Sequence, residues 1–197
     1  MLMACMMALS LVACGNKTND NGGSGDSADG AGTETIKLGV VGPLTGGYAN
    51  YGLSVQHGAQ LAVDEINAKG GINGKKVKLE SMDDKGDATE ASNAFNKLAG
   101  DNSVLGVVGP TISSTTAAVA PLADQSKLPA IAPAATSDSI ETGGYMFRTC
   151  FKDSYQGEIP AKFAAETLKV KKVAVLYGTG DPYSSGVGKA FALSHIH

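Results

Sequence analysis

Cysteine is scarce: three residues in 197, two of them within the first 14, too few to build a disulfide framework. Histidine is equally rare. None of His57, His195 and His197 has a partner at the spacing of a metal site or a catalytic triad, and the closing His195-Ile196-His197 is read as incidental. Basic stretches are missing as well. Sixteen Lys and Arg stand against 19 Asp and Glu, a net charge of −3, and no segment is dense enough in cations to track a phosphate backbone, which argues against a nucleic-acid partner. No apolar run reaches the roughly 20 residues that cross a bilayer, which excludes a chain spanning the membrane several times. The G-x-S-x-G elbow, the Walker A loop and H-E-x-x-H are all absent. Gly178-Thr179-Gly180 opens like a dinucleotide fingerprint but lacks its third glycine. Neither an enzyme, a cofactor nor a metal is expected.

What the chain does have is glycine, 26 residues or about 13% against a usual ~7%, and a 43% apolar share, ample for a buried core. The opening MLMACMMALSLVAC carries no charge and reads as the apolar region of an export signal. The cationic segment that usually opens such a signal is missing, so the true start is expected upstream of Met1. Leu11-Val12-Ala13-Cys14 has the form of a bacterial lipobox, where a peptidase cuts before a cysteine whose thiol takes the acyl chains. Residues 1–13 are thus the expected signal peptide and Cys14 the lipidation site. Through residue 35 no side chain is apolar and larger than Ala. Such a stretch cannot bury enough surface to offset its ordering entropy, and 14–35 reads as a flexible tether.

From Ile36 the pattern alternates. Ile36 to Gly42 is a short apolar run of the buried parallel-strand kind. Val55, Ala59, Ala62, Val63 and Ile66 recur at helical spacing over Tyr51 to Ala68, and Lys69-Gly70-Gly71 supplies the stop. Lys76 to Met82 reads as a second strand, and Asp87 with Glu90 has capping-box spacing before a helix whose apolar face is Ala91, Ala94, Phe95 and Leu98. Val104 to Val108, a helix from Ser114 to about Gln125, and a strand at Pro129 to Ile131 follow. Asp83-Asp84 reads as a solvated patch at a strand end. Successive βα units argue for an α/β fold, a doubly wound parallel sheet with helices on both faces and a ligand beyond the carboxyl ends of its strands. The loops there, 42–50, 109–114 and 133–137, are rich in Gly, Ser, Thr and Ala, which suits a site made of backbone amides and hydroxyls. After Arg148 come a helix from Asp153 to Leu168, a strand at Lys172 to Tyr177, a loop over Gly178 to Ser185 and a helix from Gly186. One strand and two helices cannot close a core, so 36–150 reads as a first lobe and 151–197 as part of a truncated second one.

The stretches IKLGVVGPLTGGYANYG, GAQLAVDEINAKGGINGKKVKLESMDD, VVGPTISSTTAAVAPLAD, LPAIAPAATSD and KVAVLYGTGDPYSSG, in that order and spacing, resemble the branched-chain amino-acid-binding family, the type I solute-binding proteins of ABC importers. The resemblance runs from Ile36 almost to the end and covers roughly the first half of a family member. It implies a bilobed receptor, lipid-anchored outside the cytoplasm, that takes an aliphatic amino acid in a cleft and delivers it to a membrane permease. It also implies roles for individual residues. Ser113 matches the serine that holds the ligand carboxylate, although a plain helix N-cap suits it too. Ala134 and Thr136 match the carbonyl and hydroxyl that accept from the ammonium. Tyr51 and Tyr183 match aromatics that wall and close the cleft. The disulfide some members carry has no counterpart, since Gly86 and Ile112 occupy its positions, and Cys150 reads as a small buried hydrophobe.

Rival readings divide by class. A sugar-sensing repressor of the same fold needs an N-terminal basic helix-turn-helix, where this chain has a lipobox and an acidic tether. A same-fold receptor for urea, short amides or aromatic acids stays open.

Overall fold

The computed structural model describes residues 35–140 and 144–194. The expected signal peptide, Cys14, nearly all of the tether, His195 and His197 lie outside the described residues. β1 (Ile36–Gly42), β2 (Val77–Asp83), β3 (Val104–Val108), β4 (Ala130–Ala132) and β5 (Met146–Arg148) form one parallel sheet in the order β2-β1-β3-β4-β5. The chain leaves β1 towards β2 and returns past it to β3. That reversal is a topological switch point, where loops diverge and a crevice opens beyond the strand ends.

α1 (Ala49–Ala68), α2 (Ala88–Ala99) and α3 (Ser113–Ser126) connect these strands. Asp87 caps α2 as its sequence promised, its Oδ1 accepting from Thr89 N at 2.8 Å and Glu90 N at 3.0 Å. Phe95 and Leu98 of α2 meet Val119 and Ala123 of α3 over Val41, Val107, Ala130 and Met146, all buried in one cluster. Val40 points the other way, towards the face where α1 lies against β1 and β2. That second face is only partly covered. Ile131 and Phe147, paired in the β4–β5 register, are both exposed on it. Helices do lie on both faces, as expected, but unevenly.

Beyond the sheet, α4 (Asp153–Lys162) runs into a π-helical turn at Phe163–Thr167, and α5 (Pro182–Ser194) packs against α4. Gly157 permits the approach: a Cβ there would meet Ala190 Cβ at 2.5 Å. One strand went unforeseen and two sequence expectations need correction. β5 was not foreseen, being only three residues long. Lys172 to Tyr177 is not a strand; a strand is defined by its ladder, and among the described residues none pairs with it. The expected loop at Gly178–Ser185 gives way to helix from Pro182, because Asp181 caps it, with Oδ2 accepting from Ser184 N at 2.7 Å.

Candidate functional site

The polar side of the site is built at the start of α3. Gly109, at φ +119°, turns the chain so tightly against β1 that a Cβ would collide with the Val41 carbonyl. The buried hydroxyl of Thr116 bonds the carbonyls of Pro110 (3.0 Å) and Ile112 (2.8 Å), and Thr115 bonds Ile112 O at 3.0 Å. These fix the entry into α3, whose first amides have no intrahelical acceptor and form its positive end. Ser113 is the first helical residue. The N-cap position belongs to Ile112, with no side-chain cap, so the N-cap reading of Ser113 does not hold. Its Oγ instead accepts from Ser137 N at 3.2 Å, joining the loop after β3 to the loop after β4.

That second loop carries Ala134 and Thr136. Arg148 holds it from beneath, donating to the carbonyls of Ala135 (3.3 Å), Ser137 (3.0 Å) and Ile140 (3.0 Å). Cys150 is half-buried, and its thiol donates to Ala135 O at 3.3 Å. Burial pushes that thiol above its usual pKa, so it is a packing and hydrogen-bonding group, not a thiolate. Asp153 N donates to Thr136 O at 2.9 Å, which docks α4 on the same loop.

Tyr51, Ser113, Ala134, Thr136 and Tyr183 all line one cavity of about 310 Å³. Four separated segments therefore supply it. Sequence reasoning missed five further lining residues: Tyr48, Ile112, Phe151, Gln156 and Asp181. Tyr48 packs over Gly86, where a Cβ would stand 3.0 Å from its ring and 3.5 Å from Ile112 Cδ1. Gly86 and Ile112, the positions of the disulfide that the resemblance gives to some family members, thus lie close together with the Tyr48 ring packed against Gly86. Gln156 Nε2 donates to the Tyr183 hydroxyl at 2.8 Å, which orients that ring. Tyr48, Tyr51, Phe151 and Tyr183 give the lining four aromatic rings, and Ser113, Thr136 and the start of α3 give it hydroxyls and a helix terminus. Among the described residues, Asp181 is the only formal charge on the lining. The arrangement can hold a small molecule with one anionic end and an apolar body.

The Asp83-Asp84 pair departs from its sequence reading. Burial pulls Asp83 upward, but hydrogen bonds from Thr45, Lys85 and Leu44 prevail and hold it below the usual carboxylate range. Asp84 is fully buried, not solvated. Burial raises it to about 6, the neighbouring Asp83 and Asp87 add to that, and Gly86 N donating at 2.8 Å opposes it.

Residues 35–194 match the family model described as periplasmic binding protein. Over 158 residues the chain is 40% identical to the Leu/Ile/Val-binding protein BraC3 of Rhizobium johnstonii, covering 79% of this chain and 42% of that one. The branched-chain amino acid substrate-binding protein LivJ of Streptococcus pneumoniae, solved with isoleucine, superposes at a TM-score of 0.78 with 40% identity, covering 82% of this chain and 47% of that one. A solute-binding protein of Rhodopseudomonas palustris, solved with 3,4-dihydroxybenzoic acid, gives 0.74 and 28% identity over 82% and 44%. The chain spans less than half the length of each of these relatives. With the family model matched from the first strand to the last described helix, this chain belongs to the periplasmic binding protein family.

Proposed function

We propose that this chain forms the leading half of a receptor that captures a free aliphatic amino acid outside the cytoplasm and hands it to an ABC permease. The observation that carries the reading is the convergence of Ser113, Ala134, Thr136, Tyr51 and Tyr183 on one cavity. The carboxylate would sit at the amide-rich start of α3 with the Ser113 hydroxyl. The ammonium would be received by the Ala134 carbonyl and the Thr136 hydroxyl, and the side chain would lie among the aromatic rings. Each charge-assisted bond contributes roughly 1.5–3 kcal/mol. No bond is made or broken, and the protein is not an enzyme. In this reading 1–13 is a signal peptide, Cys14 carries the lipid anchor, 14–35 is the tether, 36–150 the first lobe and 151–197 the beginning of the second.

A second reading has its own support. Four aromatic side chains on the lining, and a relative solved with a dihydroxybenzoic acid, suit a planar aromatic carboxylate that needs no ammonium site. Calorimetry separates the two, using the product of the whole reading frame that contains this chain. Leucine, isoleucine and valine are expected to release heat, with benzoates, urea and short amides silent. Binding of the benzoates alone would reverse the choice.

A further inference from the structure

Next to the Thr136 hydroxyl lies a group that has no part in the scheme above. Asp153, the first residue of α4, is fully buried, and neither of its carboxylate oxygens has a hydrogen-bond partner. Thr136 Oγ1 is likewise buried and unpartnered. The two residues are tied through the backbone, Asp153 N to Thr136 O. A buried carboxylate without partners is costly, and the surroundings offer little relief. Arg148 directs Nη1 and Nη2 at three carbonyls and leaves its buried Nε–H without a partner, and Asp138 and Asp181 are further anions. α5 closes the far side, where a Cβ on Gly186 would stand 2.6 Å from Asp153 Oδ2. Burial pushes the Asp153 carboxyl above its usual range, Asp138 and Asp181 add to this, and the Thr136 hydroxyl and Arg148 oppose it. In this structure the Thr136 hydroxyl stands outside hydrogen-bond geometry with either carboxylate oxygen, while the backbone bond holds the two residues side by side.

A hydroxyl accepts from an ammonium only when its own proton points elsewhere. We infer that Asp153 is a positioning residue: its carboxylate takes the Thr136 O–H as a hydrogen bond, which turns the oxygen's lone pairs towards the cavity and the ligand's ammonium. The inference rests on the amino-acid reading of the site. It also gives Gly186 a purpose, since any side chain there displaces the carboxylate, and it ties the position of α5 to the polar corner of the cavity.

The test is a double-mutant cycle in the product of the whole reading frame, read by calorimetry with L-leucine. Asp153→Asn keeps the shape but can present an N–H to Thr136, so the hydroxyl proton turns towards the ligand. It is expected to weaken binding by about 10-fold or more, and by nothing further once Thr136→Val is present. Equal losses in both backgrounds, or no loss at all, would overturn the inference while leaving the amino-acid reading intact. A parent protein that binds no amino acid overturns that reading and this inference together. Should Asp153→Asn not fold, Gly186→Ala decides by the same cycle: a loss that needs Thr136 supports the inference, and one that does not overturns it.

Discussion

Two stretches of one chain, 36–150 and 151–194, have similar apolar content and opposite fates. In the first, Val41, Phe95, Val119 and Ala123 are all at 0% exposure. In the second, Ile159, Phe163 and Leu168 stay about half exposed and Leu176 is at 101%. The difference lies in what each side chain finds opposite it. The sheet segment has parallel neighbours for every strand and two helices over one face, whereas the helical segment has one helix pair and an extended run that finds no ladder partner among the described residues. The site inherits the asymmetry: hydroxyls and helix terminus stand on the closed part, while Phe151, Gln156, Asp181 and Tyr183 belong to the open one.

The largest effect that separates the two is truncation of an aromatic. Phe95→Ala removes a wholly buried ring from the α2–α3 cluster and is expected to cost about 3–5 kcal/mol in denaturant unfolding. Phe163→Ala, in the open segment, should cost less than about 1 kcal/mol. Similar losses at both positions would erase the contrast.

A second contrast is electrostatic. Asp84 is the buried carboxyl of the closed segment, raised from 3.8 to about 6. Between those values the folded chain holds a proton that the unfolded chain has released. The stabilisation is therefore complete below about pH 4 and lost as pH rises through 6, on the order of 2–3 kcal/mol. Unfolding followed from pH 4 to 7 should show this decline against the background of other groups, and Asp84→Asn should flatten it. A decline that survives the substitution would place its origin elsewhere.

The same closed segment is where the sequence reads well, and the reason is physical. β1 and β3 are largely apolar runs of seven and five residues, β2 opens on the alternation Val77-Lys78-Leu79-Glu80, and α2 announces itself by its cap and stripe. β5 offers only Met-Phe-Arg, too short to show a period. Lys172 to Tyr177 misleads in the other direction, because a continuous apolar run such as Val173 to Tyr177 signals the capacity to pair and not the presence of a partner. Asp84 misleads because an acidic pair at a strand end says nothing of which carboxyl turns inward. At the site, Ser113, Thr136 and Tyr183 were placed by resemblance and came together in space. Ser113's bond to Ser137 spans 24 residues and Arg148's grip on Ser137 spans 11. No local pattern carries such contacts, so Arg148, Gln156 and Asp153 stayed silent until the chain was folded.

A smaller effect tests local order within the closed segment. Asp87→Ala removes the side-chain acceptor for Thr89 N and Glu90 N. It is expected to cost about 1 kcal/mol, seen as a modest fall in denaturation midpoint with an unchanged slope. A slope change would mean that α2 frays independently of the sheet it covers.

The smallest effect falls on the open segment and separates folding from association. Leu176 is fully exposed between Val175 and Tyr177, which are also in part exposed, so a polar replacement removes no buried contact. Leu176→Ser should shift unfolding of this chain by no more than about 0.5 kcal/mol. Exposed apolar runs with unpaired backbone are, however, templates for other chains. The same substitution is therefore expected to reduce concentration-dependent self-association in light scattering. If it instead destabilises by several kcal/mol, the side chain is buried in solution and the segment has a partner already. If scattering is unchanged, association runs through the other uncovered apolar surface, the Ile131 and Phe147 face of the sheet, and Phe147→Ser becomes the variant that lowers it.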